Sequence, residues 1–100
     1  MKVVTSKALC KSVYNHLSQI IGERNFKRVA PLTERNAYVF ETKHFYYLMS
    51  FDTVVAVIEK EMKICIDFLF LIYGYTPLGS HYHIAKFCED YGATTIYRYR

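Results

Sequence analysis

The chain has 100 residues, of which 52% are hydrophobic and 22% are charged, and its net charge is +4. This length accommodates one domain, residues 1–100, and the hydrophobic share excludes a disordered chain. Four glycines and two prolines exclude a linker-rich protein, whereas ten tyrosines and seven phenylalanines without any tryptophan are unusual.

The first predicted element is an amphipathic helix from about Ser6 to Ile21, because apolar residues recur there at spacings of three and four. Gly22 follows where a helix-terminating residue is expected. Residues 26–30 alternate as in a short strand, which Pro31 ends or leaves at the edge of a sheet.

The middle of the chain is predicted to be β-structure. Thr33–Asn36 indicates a turn, and Ala37–Glu41 and His44–Met49 are dense in aromatic and β-branched residues, as strands are. Thr53–Ile58 is continuously apolar, which predicts a strand that is covered on both faces.

A polar reversal at Glu59–Met62 leads to a further predicted strand over Ile64–Tyr73. Asp67 interrupts one of its faces, and an unpaired carboxylate is costly to bury. We therefore expect that face to be exposed, and pairing of Asp67 with a cation or a hydroxyl is the alternative. A homodimer could form through this strand if it lies at a sheet edge.

The remainder of the chain predicts a loop at Tyr73–Gly79, a helix from an N-cap at Ser80 to about Tyr91, Gly92 as its end, and a strand at Thr94–Tyr97. Together the elements predict an α+β fold. It consists of a small antiparallel sheet of four to six strands, with the N-terminal helix and the second helix packed on one face.

The chain shows no glycine-rich phosphate loop, nucleophile elbow or His-Glu-x-x-His motif, so we expect no enzymatic activity and no cofactor. His81 and His83 point to different sides of a helix, and a metal site would need an extended segment with Cys88 or His44. The simpler interpretation is one histidine packed on the sheet and one in solvent. We expect no metal.

Cys10, Cys65 and Cys88 are odd in number and lack a Cys-x-x-Cys spacing, which favours reduced, structural thiols. No apolar run approaches the ~20 residues of a membrane helix, and none follows Met1 as in a signal peptide. These features predict a cytoplasmic protein without a membrane partner.

Basic residues occur on the first helix, directly after it and at the C-terminus. The predicted basic patch consists of Lys7, Lys11, Arg24, Lys27 and Arg28. Arginines interleaved with tyrosines suit single-stranded nucleic acid, so a small nucleic-acid-binding protein is the alternative function. A solvated surface would account for the same charges.

Tyrosine is enriched at protein interfaces, and ten tyrosines exceed what a core of this size needs. We expect several to be exposed together near residues 73–82. The candidate partner-binding residues are Tyr73, Tyr75, Tyr82, Tyr97, Arg98, Tyr99 and Arg100.

Two short patterns carry a resemblance to a known family: Ser50-Phe51-Asp52-Thr53 at the start of a strand, and His83-Ile84 with Phe87 on a helix. Residues 44–91 resemble a family of small uncharacterised proteins of phages and other mobile elements of low-GC bacteria. The family usually has tyrosine at the position of Phe51, and its loop before the histidine is shorter.

The resemblance implies a small accessory protein in the cytoplasm of an infected or element-carrying bacterium. Compact proteins of such elements that lack catalytic motifs often block host machinery by direct binding, as anti-CRISPR proteins do. We therefore expect a non-enzymatic protein that binds and inhibits a host protein complex, such as a CRISPR effector complex.

Overall fold

A seven-stranded sheet lies at the centre of the fold, and two helices flank it in the described part of the chain. The computed structural model describes residues 1–17, 28–32, 36–69 and 78–98. The strands are β1 (Lys2–Val4), β2 (Arg28–Pro31), β3 (Ala37–Glu41), β4 (Phe45–Ser50), β5 (Thr53–Glu59), β6 (Ile64–Asp67) and β7 (Thr95–Tyr97). The helices are α1 (Lys7–Leu17) and α2 (Leu78–Tyr91). The α+β class is confirmed, but the sheet exceeds the four to six strands predicted.

The sheet is mixed, whereas the prediction was an antiparallel one. Its strand order is β1-β7-β6-β5-β4-β3-β2, in which β2 to β6 pair antiparallel and β7 pairs parallel with both β6 and β1. The chain passes through α2 between β6 and β7, and a crossover through a helix makes strands parallel. The three-residue β1 is too short to show any periodicity, so the sequence did not predict it.

The middle of the sheet agrees with the predicted elements. β3 spans Ala37–Glu41 as predicted, and β5 is buried along most of its length, which confirms that both of its faces are covered. Pro31 lies in β2, an edge strand. Asn36 has a φ of 62° in the turn before β3, which confirms a turn there, and residues 33–35 lie outside the described part.

The two helices pack on opposite faces of the sheet, which corrects the expected packing on one face. Along β5, Val55 and Ile58 belong to the same core cluster as Phe87 of α2. Val57 belongs to a second cluster, with Cys10 of α1. A strand that is apolar on both faces needs cover on both faces, and one helix on each side supplies it.

β6 is shorter than the predicted strand over Ile64–Tyr73. It ends at Asp67, after which Phe68 lies in a turn and Leu69 has helical backbone, and residues 70–73 lie outside the described part. β6 pairs with β5 on one side and β7 on the other. It is therefore not an edge strand, and the condition for a homodimer through it is not met.

Asp67 lies in the interior, so the expectation that its face is exposed was wrong. Its Oδ2 accepts a hydrogen bond from Arg98 Nε at 3.0 Å, and its Oδ1 accepts one from the backbone N–H of Leu69 at 2.9 Å. A charge-assisted bond together with a backbone bond compensates for the lost hydration of a carboxylate. Pairing with a cation, the alternative interpretation, is the correct one.

Candidate protein-binding site

The turn between β4 and β5 holds a phenylalanine in a backbone conformation that disfavours it. Phe51 and Asp52 form a two-residue turn with φ values of 48° and 66°. Hairpins of this type prefer Asn-Gly, because both central residues have positive φ. A bulky residue in the left-handed region costs free energy and often marks a functional position. Phe51 is also 54% exposed, so burial of its ring does not account for its presence.

The ring of Phe51 is nevertheless well supported on one side. It stacks on the imidazole of His83, with ring centroids 5.0 Å apart and an interplanar angle of 27°. A Cβ atom built on Gly79 would lie only 3.1 Å from Phe51 Cε2, so the ring passes close over the backbone of α2. The strand turn thus places an aromatic ring over the first turns of the helix.

A buried polar cluster fixes the position of α2 relative to this turn. Ser50 Oγ lies 2.6 Å from His83 Nδ1 and 3.0 Å from Ser80 Oγ, and all three side chains are buried. α2 begins at Leu78, so Ser80 lies inside the helix and the prediction of an N-cap at Ser80 was wrong. Its hydroxyl instead joins the first turn of α2 to the end of β4.

A surface depression of about 470 Å³ lies beside the Phe51 ring. Its described lining residues are Asn36, Phe51, Gly79, Tyr82, His83, Ala85, Lys86 and Glu89. Tyr82 is 63% exposed, and Leu78, one turn before it on α2, is 70% exposed. We call the three exposed apolar side chains Phe51, Leu78 and Tyr82 the Phe51 patch.

Charged groups on α2 border the patch. The Lys86 ammonium lies 3.4 Å from the Asp90 carboxylate and 3.9 Å from that of Glu89. The Glu89 side chain is 74% exposed. Asp52 is exposed in the turn beside Phe51. Glu89 and Asp90 thus outnumber Lys86 on α2, and with Asp52 in the turn the described charges here sum to a negative value although the whole chain is basic.

The predicted partner-binding residues are only partly brought together. Tyr82 lines the depression, whereas Tyr97 is half-buried against the α1-side core. Arg98 is buried, and its guanidinium is bonded to Asp67. Arg98 therefore serves the fold and does not contribute to an exposed basic surface. The other members of that prediction, Tyr73, Tyr75, Tyr99 and Arg100, lie outside the described part of the chain.

The predicted basic patch lies away from the Phe51 patch where it is described. Lys7 and Lys11 are exposed on α1, which covers the opposite face of the sheet from α2. Arg24 and Lys27 lie outside the described residues, as does the side chain of Arg28, whose backbone belongs to β2. Two lysines of the predicted five are thus placed on the exposed surface of α1.

The reactive side chains are held by different partners. His83 contacts Ser50 and Phe51, Asp67 is held by Arg98, and Cys88 lies against Cys65 in the α2-side core. Burial raises the pKa of the Cys65 thiol well above its ordinary value. The pKa of the Cys88 thiol is lowered, because Cys88 forms a hydrogen bond with Cys65.

Within the described ranges, no three histidine, cysteine, aspartate or glutamate side chains are grouped to hold a metal ion. His81 is half-buried on α2, and His83 is occupied by its contact with Ser50. All three cysteines are buried, which confirms that they are core residues. Neither described helix has the length and apolar character needed to span a membrane.

The sequence did not predict Phe51 as a candidate binding residue, because phenylalanine is most often buried. The signal that could have found it is the pattern Ser50-Phe51-Asp52-Thr53, which leaves two residues between two apolar strands and demands a tight turn. The two patterns that carry the family resemblance also meet in space, since Ser50 contacts His83. We found no family model, curated protein or solved structure that matches the chain. The resemblance to the mobile-element family therefore stays a prediction.

Proposed function

We propose that this chain is a non-enzymatic accessory protein of a phage or other mobile element, which binds a host protein complex and inhibits it. A CRISPR effector complex is the partner that this proposal names. The observation that carries it is Phe51, which is held exposed in a strained turn and stacked on a buried histidine. The exposed ring adds little to the core, so core packing does not explain why this unfavourable backbone conformation is kept. Recognition of a partner by the ring would explain it.

The Phe51 patch has the properties of an interface hot spot. Phe51 and Tyr82 offer large ring surfaces, and aromatic residues are enriched in such positions. Phe51 is supported by His83, which the hydroxyl of Ser50 holds in turn. A side chain that is already immobilised loses little conformational entropy when a partner covers it.

The internal bonding of the polar groups supports a binding role over catalysis. Every buried side-chain nitrogen and oxygen atom of the described residues has a hydrogen-bond partner within the chain. The hydroxyl of Ser50 forms hydrogen bonds with both Ser80 and His83. Ser50 and His83 are buried beneath the Phe51 ring. His83 lines the depression, but Ser50 is 1% exposed and is not among its described lining residues, so the hydroxyl that contacts His83 is not accessible to a substrate there.

Nucleic-acid binding is the second candidate, and Lys7 and Lys11 on α1 are the described residues that favour it. It would use the face of the sheet opposite to the Phe51 patch, because the carboxylates of Asp52, Glu89 and Asp90 repel phosphate. The two functions therefore predict that substitutions on different surfaces abolish binding. Binding through phosphate contacts would also weaken steeply with salt, whereas an aromatic protein interface would not.

The proposed function is tested by phage plating. Bacterial hosts with an active CRISPR system that targets a given phage are plated with and without the expressed chain. We expect the chain to restore plaque formation in at least one host. Phe51→Asn, which suits the positive φ, and Tyr82→Ala should abolish this restoration.

The matched control is Met62→Ala, which removes another exposed apolar side chain. Met62 lies in the turn between β5 and β6, at the other end of β5 from Phe51. This variant should restore plaques as well as the wild type. The proposal fails if no host in the panel is affected, or if Phe51→Asn and Tyr82→Ala act like the wild type while Lys7→Ala and Lys11→Ala do not.

A further inference from the structure

We infer that the depression beside the Phe51 patch binds an arginine side chain of the partner, with Glu89 as its counter-charge. This inference rests on the proposed function and names the group that the surface recognises. It is carried by three features that occur together: exposed aromatic rings, an exposed carboxylate, and a locally acidic environment.

The aromatic rings supply the stacking surface. Phe51 and Tyr82 both line the depression and are more than half exposed. His83 stacks with the Phe51 ring, which leaves the exposed part of that ring available to a partner. A guanidinium group is planar and weakly hydrated, so it stacks on such rings by cation–π attraction.

Glu89 supplies the charge. Tyr82, Lys86 and Glu89 follow one face of α2, and Glu89 lies two turns, or about 10 Å, beyond Tyr82. The Lys86 ammonium lies 3.4 Å from the Asp90 carboxylate and 3.9 Å from that of Glu89, so its closer ion pair is with Asp90 and its contact with Glu89 is the weaker one. Glu89 is 74% exposed and borders the depression, where it can accept two parallel hydrogen bonds from a guanidinium.

The environment selects for a cation and against a phosphate. Asp52 carries a carboxylate in the turn beside Phe51, and Glu89 and Asp90 outnumber Lys86 on α2, so the described charges of this region sum to a negative value in a chain of net charge +4. A lysine of the partner would satisfy the charge but would lose the planar stacking and the paired hydrogen bonds. Arginine uses all three features.

The test is a titration of the whole chain, followed by nuclear magnetic resonance of its backbone amides. The probes are the capped tripeptides Gly-Arg-Gly, Gly-Lys-Gly and Gly-Glu-Gly. We expect the arginine peptide to shift residues 51, 79, 82, 86 and 89, and to bind about fivefold more tightly than the lysine peptide. Equal binding of the two cations, preference for the glutamate peptide, or the absence of shifts at these residues would overturn the inference.

Glu89→Gln separates this inference from the proposed function, because the exposed side chain keeps its size and the fold does not depend on it. We expect the variant to lose about tenfold in affinity for the arginine peptide, the loss of one charge-assisted contact. Glu61→Gln, the matched control, removes an exposed carboxylate in the turn between β5 and β6 and should bind the arginine peptide as the wild type does. In the plating assay Glu89→Gln should reduce plaque formation. If Glu89→Gln plates like the wild type while Tyr82→Ala does not, the inference fails and the proposed function stands.

Discussion

Arg98 and Asp67 form an ion pair inside the protein, with side chains that are 10% and 0% exposed. The pair joins the residue after β7 to the last residue of the interior strand β6. The backbone N–H of Arg98 also donates to the carbonyl of Val4 at 2.9 Å, so the same residue secures β1. Arg98 therefore links β6 to β1 across the parallel part of the sheet.

We predict that Arg98→Met destabilises the protein by about 3 kcal/mol, because it leaves the Asp67 carboxylate buried without its cation. The double variant Asp67→Asn with Arg98→Met should be more stable than the sum of the two single changes implies, since no uncompensated charge remains. Urea unfolding of the four proteins measures this coupling. Strict additivity would contradict the assignment of a buried pair.

The strain at Phe51 predicts a difference between two substitutions that both remove the ring. Phe51→Asn tolerates the φ of 48°, whereas the β-branched side chain of Phe51→Val does not. Both variants lose the stacking on His83, so this loss cancels in the comparison. We expect the valine variant to be less stable by about 1–2 kcal/mol, as measured by chemical denaturation. Equal stabilities would mean that the turn relaxes and holds no strain.

The cluster under Phe51 predicts unequal effects for its two serines. Ser50→Ala removes the partner of His83 Nδ1 and of Ser80 at once, and it should cost about 1–3 kcal/mol. Ser80→Ala leaves the 2.6 Å contact between Ser50 and His83 intact and should cost about 1 kcal/mol or less. Urea midpoints of the two variants measure the difference. A larger loss for Ser80→Ala would place the essential contact elsewhere.

Cys10 predicts a dependence of stability on pH. Burial raises the pKa of its thiol above the ordinary value of 9.0, the charge of Asp67 raises it further, and the thiol donates to the Val4 carbonyl at 3.4 Å. The folded chain therefore keeps a proton that the unfolded chain loses. Its contribution to the free energy of unfolding is present below pH 9 and declines as the pH rises, by at most about 1.4 kcal/mol per pH unit.

The measurement is the free energy of unfolding of the wild type minus that of Cys10→Ala, at pH values on either side of 9. Subtraction removes the contributions of tyrosines and lysines that titrate in both proteins. The alanine variant starts from a lower stability, because it leaves a small cavity, but the difference between the proteins should shrink as the pH rises. A constant difference would show that the pKa of the Cys10 thiol is the same in the folded and the unfolded chain.

The local elements were predictable because their signals are local. The aromatic and β-branched residues of Ala37–Glu41, the continuous apolar run of β5 and the glycine after α2 each report on a few neighbouring residues. The turn at Asn36 follows from the tolerance of asparagine for positive φ. β1 was not predicted, because three residues are too few to show a periodic pattern. Its partner β7 lies at the other end of the chain.

The candidate site was only partly predictable. Tyr82 was named because tyrosine is typical of interfaces, and it does line the depression. Arg98 was named because it alternates with tyrosines near the C-terminus, but Asp67, the carboxylate with which it pairs, lies 31 positions away along the chain. Phe51 was not predicted as a binding residue. The exposure of a phenylalanine depends on what packs over the turn and not on its own neighbours in sequence.

The unusual aromatic content was evident from the composition, and the apolar periods were sufficient for an α+β domain with helices at both of the observed places. Three features depended on how the strands assemble. They are the exposure of each aromatic residue, the face that each helix covers and the pairing of Asp67 with a cation. The physical reason is that burial and charge pairing are properties of groups brought together from distant positions. Ser50 and His83, 33 positions apart and 2.6 Å from each other, show this most directly.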